Sequence, residues 1–306
     1  MKKPYIPDGM WPVMLTPYNE DGSAIDYAML EKLVNWYIDN GSDGLFAVCQ
    51  SSEMWFLNFE ERLELMKFIA QNKPAGMTVV ASGHTADDLD RQIYEANAFI
   101  DTGIDAYVFI SNRFAGPEDS DDVLLKNLDY VVSRIPEIGL GIYECPYPYK
   151  RLLTPYVLKR LADSGRFQFL KDTCCDPAQI QEKLDAVRGS DLKIFNANAA
   201  TLLETLEMGC AGFSGIMANF FPDLCAELCA CYKTDPEKAK KLQDFIGFSS
   251  MAEAQAYPIN CKYFHRLEGF DMCLNSRSQK MENFNINVRE CTREMRNVGK
   301  LFRSCL

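Results

Sequence analysis

Gln168-Phe169-Leu170-Lys171-Asp172-Thr173 is the stretch on which the reading of this chain turns. It reads as a short apolar strand ending in a lysine, an acid and a hydroxyl. Lysine is rarely buried without a partner. Removing it from water disfavours the ammonium form and lowers its pKa, which is the condition an amine nucleophile needs. Lys171 is therefore either a Schiff-base lysine or the partner of a carboxylate.

Working outward, apolar runs of similar length recur on both sides. They are Trp11–Leu15, Gly44–Val48, Thr78–Ala81, Ala106–Ile110, Leu140–Tyr143, Leu192–Phe195 and Gly212–Gly215. Between them lie stretches with apolar residues at helical spacing, such as Tyr27 to Tyr37, Phe59 to Ala70 and Pro177 to Val187. Thr85, with Asp88 in the first turn, is expected to cap the helix that runs to Ile100. Eight strand–helix units in succession predict an α/β fold, a (β/α)8 TIM barrel. A doubly wound open sheet is the alternative, but the first strand–helix turn lacks a Gly-rich dinucleotide fingerprint. Beyond Pro222 the pattern is wholly helical. The expected division is a barrel over 1–222 and a C-terminal helical extension over 223–306, packed on the barrel.

Composition narrows the function. The chain has 306 residues, a net charge of -11 and no basic tract, which argues against nucleic acid or an anionic membrane as partner. No run approaches a membrane span, and MKKPYIPDGMW lacks the apolar core of a signal peptide. The twelve cysteines are scattered and read as reduced thiols of a cytoplasmic protein. With only two histidines, a His-rich metal site and a Ser-His-Asp triad are poorly supported, so no metal or cofactor is expected.

In a barrel the active site lies at the C-terminal strand ends. The residues delivered there are Thr16, Gln50, Ser51, Arg113, Tyr143, Glu144, Lys171, Thr173, Asn196 and Ser214. A lysine, a tyrosine and hydroxyls on one rim suit amine catalysis on a small keto acid. Lys171 would attack the carbonyl carbon, Tyr143 would carry the proton and Ser51 would relay it. The N–H groups of Gln50 and Ser51 would hold the substrate carboxylate.

These motifs resemble, in order and spacing, the dihydrodipicolinate synthase / N-acetylneuraminate lyase family of class I aldolases, from about Gly9 to Leu301. Thr16-Pro17 is similar to the family's early Thr-Pro, and Cys49–Glu53 to its Gly-Thr/Ser-Thr-Gly-Glu. Ile142-Tyr143 with Pro146 is similar to its Tyr-Asn-x-Pro, and Leu170–Thr173 to its Schiff-base motif. Gly212–Gly215 with Asn219 and Pro222 is similar to its late glycine-rich motif. The resemblance implies a lyase that makes or breaks a carbon–carbon bond between pyruvate and an aldehyde. It also implies a homotetramer or homodimer that needs no cofactor.

The departures matter as well. Cys49 and Ser52 replace two glycines of the second-strand motif. Phe114 stands where the synthase has a relay tyrosine, and Pro148 where it has a substrate-binding arginine, with Arg113 or Arg151 as stand-ins for the lost charge. Asn198-Ala199 replaces the acidic pair of the sialic-acid lyases. Glu144 replaces an Asn, pointing to a hydroxylated or cationic second substrate. The departures argue against either named activity. They favour an aldolase of undetermined aldehyde; the alternatives are the synthase or the sialic-acid lyase proper, a 2-keto-sugar-acid dehydratase, or a non-catalytic keto-acid-binding barrel.

Overall fold

The computed structural model describes residues 5–306. Its strands are β1 (Gly9–Met10), β2 (Gly44–Phe46), β3 (Thr78–Ala81), β4 (Ala106–Ile110), β5 (Gly139–Tyr143), β6 (Phe167–Asp172), β7 (Lys193–Asn196) and β8 (Gly212–Phe213). All pair in parallel, and β1 joins β8. Seven helices alternate with them: α1 (Tyr27–Asp39), α2 (Phe59–Asn72), α3 (Leu89–Ile100), α4 (Asp121–Val132), α5 (Pro155–Asp163), α6 (Pro177–Val187) and α7 (Leu202–Met208).

The seam shows why the expected first strand over Trp11–Leu15 is divided. Pro12 has no N–H to give a ladder. β1 therefore pairs with β8 through Gly9 and Met10, and the chain meets β2 again at a parallel Val13–Phe46 bridge that closes the barrel. At the seam Gly212 lies so close to β1 that a Cβ there would sit 1.8 Å from the Gly9 carbonyl oxygen.

Local chemistry starts the helices. Asn58 and Glu61 form a reciprocal capping box on α2. Asp88, rather than Thr85, caps α3 by accepting from the Arg91 N–H at 2.7 Å. Proline occupies the first turn of α5 and α6, where its missing N–H costs nothing.

After β8 come α8 (Pro222–Cys231), α9 (Pro236–Ser249), α10 (Ile259–Leu267) and α11 (Ile286–Arg303). Helix α8 packs against β1 and β8 and serves as the barrel's eighth helix, although the sequence division puts it in the extension. Among the described residues no helix is long and apolar enough to cross a membrane.

Strand alternation sorts the β6 side chains. Phe169 points into the barrel, where its ring stacks on Phe195 at 4.6 Å and meets Trp11 at 5.3 Å and Phe46 at 5.8 Å. These rings fill the interior. Two residues on, Lys171 points the same way and stands on this aromatic floor.

Candidate active site

Lys171 lies directly across from Tyr143 in the β5–β6 register. Its Nζ is 4.5 Å from the Tyr143 ring centroid and 5.6 Å from that of Phe46. Among the described residues three lysines are buried: Lys171 at 5 %, Lys183 at 2 % and Lys262 at 0 % exposure. Lys183 pairs with Glu144 at 2.6 Å, and Lys262 with Glu53 at 3.1 Å. Lys171 has no carboxylate at ion-pair distance among the described residues; its ammonium group lies over the two rings. Burial lowers its pKa. Of the two readings open from the sequence, the carboxylate-partner reading is the one this geometry does not meet.

The amine faces a cavity of about 400 Å³ at the C-terminal strand ends. Of the residues expected there, Gln50, Ser51, Tyr143, Lys171 and Thr173 line it. The turn after β2 uses the N–H groups of Ser52, Glu53 and Met54 in its own hydrogen bonds and leaves those of Gln50 and Ser51 outside them. Cys49 and Ser52, at the two former glycine positions, keep ordinary backbone angles; the left-handed residue is Glu53, with φ 59°. The carboxylate of Glu53 takes Lys262, the Ser276 hydroxyl and the N–H groups of Arg277 and Ser278. It thereby ties the segment before α11 to the rim.

The other five expected residues are placed elsewhere. Tyr143 points inward, so Glu144 points outward into the helical layer. There its carboxylate takes Lys183 at 2.6 Å, the Leu153 N–H at 2.8 Å and the Thr173 N–H at 2.9 Å. Asp172, likewise outward, shares Lys183. Burial, with the charge of Asp172, pushes Glu144 up to about 7. Glu144 is thus a structural clamp beneath the β5 and β6 loops rather than a wall of the cavity. Asn196 and Ser214 are also outward; Asn196 is consumed by Thr201, Thr205 and the Asn198 N–H. Their inward neighbours Ala197 and Gly215 line the cavity instead. Thr16 donates to the Ser52 carbonyl at 2.7 Å. Arg113 pairs with Asp87 and lies over Trp55 at 5.1 Å, and Arg151 pairs with Asp121 at 3.1 Å. Neither arginine reaches the cavity, whereas Lys150 lines it and donates to the Thr173 carbonyl at 2.9 Å. Phe114 is buried against His84 and Phe109.

Sequence reasoning missed the contribution of the extension. Glu253 and Tyr257, from the segment between α9 and α10, line the cavity, as do Pro258 and Ser278. An acid and a tyrosine four apart, just before a proline, was the available signal. The Tyr257 hydroxyl accepts from Asn219 at 2.8 Å and is in polar contact with the Ser51 hydroxyl. Asn219 in turn accepts from Tyr37 at 2.6 Å. Tyr143 is in polar contact with the Cys145 thiol, and Cys145 with Gln50 at 3.5 Å. Burial raises the pKa of both Tyr143 and Tyr257 well above the usual value, so both phenols stay protonated. The arrangement thus presents a desolvated amine, the protonated phenols of Tyr143 and Tyr257 and the Glu253 carboxyl group to a common space.

The comparisons with known proteins agree with this architecture. The sequence model of the dihydrodipicolinate synthetase family matches residues 7–277. The chain is similar to 4-hydroxy-tetrahydrodipicolinate synthase of Pseudoalteromonas atlantica, with 27 % identity over 78 % of this chain and 80 % of the relative. The enzyme of that name from Haloarcula marismortui is 26 % identical, over 86 % and 84 % of the two chains. Among solved structures, a dihydrodipicolinate synthase of Bacillus anthracis superposes with a TM-score of 0.85 at 18 % identity, covering 95 % and 97 % of the two chains. A prophage protein of E. coli K12, solved in complex with pyruvate, superposes with a TM-score of 0.82 at 20 % identity, covering 94 % and 98 %. The eight-stranded barrel is common to them, and the chain belongs to the dihydrodipicolinate synthetase family.

Proposed function

We propose that this protein is a class I aldolase or lyase that uses Lys171 to form a Schiff base with pyruvate or a related 2-keto acid. The observation that carries this reading is the contrast among the three buried lysines. Two are neutralised by carboxylates, while Lys171 faces an open cavity with its ammonium form disfavoured. Relatives solved with pyruvate bound support the choice of keto acid.

In this reading the Lys171 amine attacks the C2 carbonyl, and a C–N bond forms as the carbonyl oxygen takes a proton. Loss of that oxygen as water gives the iminium, which draws electrons from C3 and allows a carbon–carbon bond to form or break there. The Tyr143 hydroxyl, kept protonated by burial, supplies the proton to the departing oxygen. The hydroxyls of Ser51 and Tyr257 continue the hydrogen-bonded path. The N–H groups of Gln50 and Ser51 bind the keto-acid carboxylate, and Thr173 fixes the loop beside the amine.

Substrate choice on the aldehyde side differs from the named synthase. Phe114 and Pro148 supply no hydroxyl or charge, and Arg113 and Arg151 are held by acids. NMR of the protein incubated with pyruvate and a panel of aldehydes, and with 4-hydroxy-2-keto acids in the reverse direction, tests the assignment. The expected result is carbon–carbon bond formation or cleavage that K171A abolishes. Binding of keto acids without turnover of any pair would leave a sensor instead.

A further inference from the structure

We propose that Glu253 is the acid–base residue of this cavity, moving one proton between C3 of the Lys171-bound keto acid and the oxygen of the aldehyde partner. The proposal rests on the Schiff-base reading of Lys171.

Among the residues lining the cavity, Glu253 is the only carboxylate. The other buried acids of this region are occupied: Glu144 and Asp172 by Lys183, and Glu53 by Lys262 and three donors of the 276–278 segment. Glu253 differs. Its Oε1 is sealed from solvent and has no hydrogen-bond partner. Its remaining contact is the N–H of Met217, at the turn after β8. A buried carboxyl oxygen without a partner is costly, and a substrate atom arriving in the cavity would satisfy it.

The groups that sense its charge are Lys171 from β6, Cys175 just after β6 and Cys225 on α8. Burial raises both thiols, and it keeps the phenols of Tyr143 and Tyr257 protonated. Burial also holds the Glu253 acid at about 7, where it can both take and give a proton in neutral solution.

The step balances without another reagent. The C3–H bond of the iminium breaks, and its proton passes to the Glu253 carboxylate. The C–H electron pair becomes the C2=C3 bond, while the C2=N pair moves onto nitrogen to give the enamine. C3 then attacks the aldehyde carbon. The aldehyde oxygen takes the electron pair of its double bond, together with the proton held by Glu253. Water hydrolyses the iminium and frees Lys171. Cleavage is the reverse.

The test needs no knowledge of the aldehyde. Deuterium entry into the pyruvate methyl group is followed by NMR in D2O for wild type, E253Q and E253D, with borohydride trapping run in parallel. Wild-type exchange is expected to rise with pH through about 7, since the base is the carboxylate. E253Q should exchange about 100-fold or more slowly and lose that pH limb. It should still trap pyruvate, because removing the negative charge lowers the Lys171 pKa further. E253D, which keeps the carboxyl, should retain pH-dependent exchange at a reduced rate, separating loss of the acid from loss of packing. An E253Q variant that exchanges at the wild-type rate with the wild-type profile overturns the role of Glu253 and leaves Lys171 in place. A wild-type protein that traps no keto acid overturns both.

Discussion

Tyr143 and Lys171 face each other across the β5–β6 ladder, with the lysine nitrogen 4.5 Å from the centre of the tyrosine ring. The contact places an amine over an aromatic face, with no carboxylate at ion-pair distance among the described residues. It does so with a phenol that burial keeps protonated. Replacing Tyr143 by Phe keeps the ring and deletes only the hydroxyl. The expected result is pyruvate adduct formation slowed by about 100-fold, the range for loss of one acid–base group, with an unchanged unfolding midpoint. Stopped reactions with borohydride at timed intervals measure this, and an unaltered rate would remove Tyr143 from the proton path.

The amine's protonation sets a second expectation. Burial lowers the Lys171 pKa from 10.5, so the neutral nucleophile becomes available below the pH at which an ordinary lysine deprotonates. The initial rate of adduct formation should rise with pH and reach its plateau below 10.5. A plateau at or above that value would mean that the desolvated environment does not act on Lys171.

Lys183 holds two outward-pointing carboxylates, Glu144 and Asp172, together behind the cavity wall. Lys183→Met leaves both buried without a cation, and breaking such a cluster costs about 3–5 kcal/mol. Urea unfolding should show that loss through a lower midpoint. The E144Q/K183M double variant, which also removes one of the stranded charges, should recover part of it. Equal stability of K183M and wild type would contradict the clamp assigned to this triad.

Tyr257 tests whether the extension belongs to the site. Its hydroxyl sits between Asn219 and Ser51, so Tyr257→Phe removes the support of Ser51 while keeping the ring. The loss of one such hydrogen bond, about 1 kcal/mol, should lower the rate of adduct formation several-fold. Steady-state trapping rates for Y257F beside S51A measure it. Effects of similar size that do not add in the double variant would show that the two hydroxyls act as a unit.

Much of this was legible in the sequence, and the failures have two physical origins. Eight apolar runs at regular spacing gave the barrel because each strand must bury its inner face and each helix its stripe. Lys171, Tyr143, Ser51, Gln50 and Thr173 were placed in the cavity by strand ends alone. Glu144, Asn196 and Ser214 were placed on the same rim, yet each is one residue out of phase with an inward neighbour: Tyr143, Ala197 and Gly215. Alternation makes a one-residue offset a change of face. Applying that rule to Tyr143 would have sent Glu144 to the helical layer. Glu253 and Tyr257 were hidden for another reason. They are more than eighty residues from Lys171 in sequence, on a turn whose approach to the barrel mouth depends on how α9 and α10 pack. No local pattern encodes that packing.

Borohydride reduction in the presence of pyruvate tests whether the Lys171 amine bonds covalently to a keto acid. Peptide mass mapping should find the reduced adduct on the peptide carrying Lys171, absent from K171A and absent from the peptides carrying Lys183 and Lys262. Wild-type protein that yields no adduct with pyruvate or any other 2-keto acid, or an adduct that persists in K171A, would contradict the account.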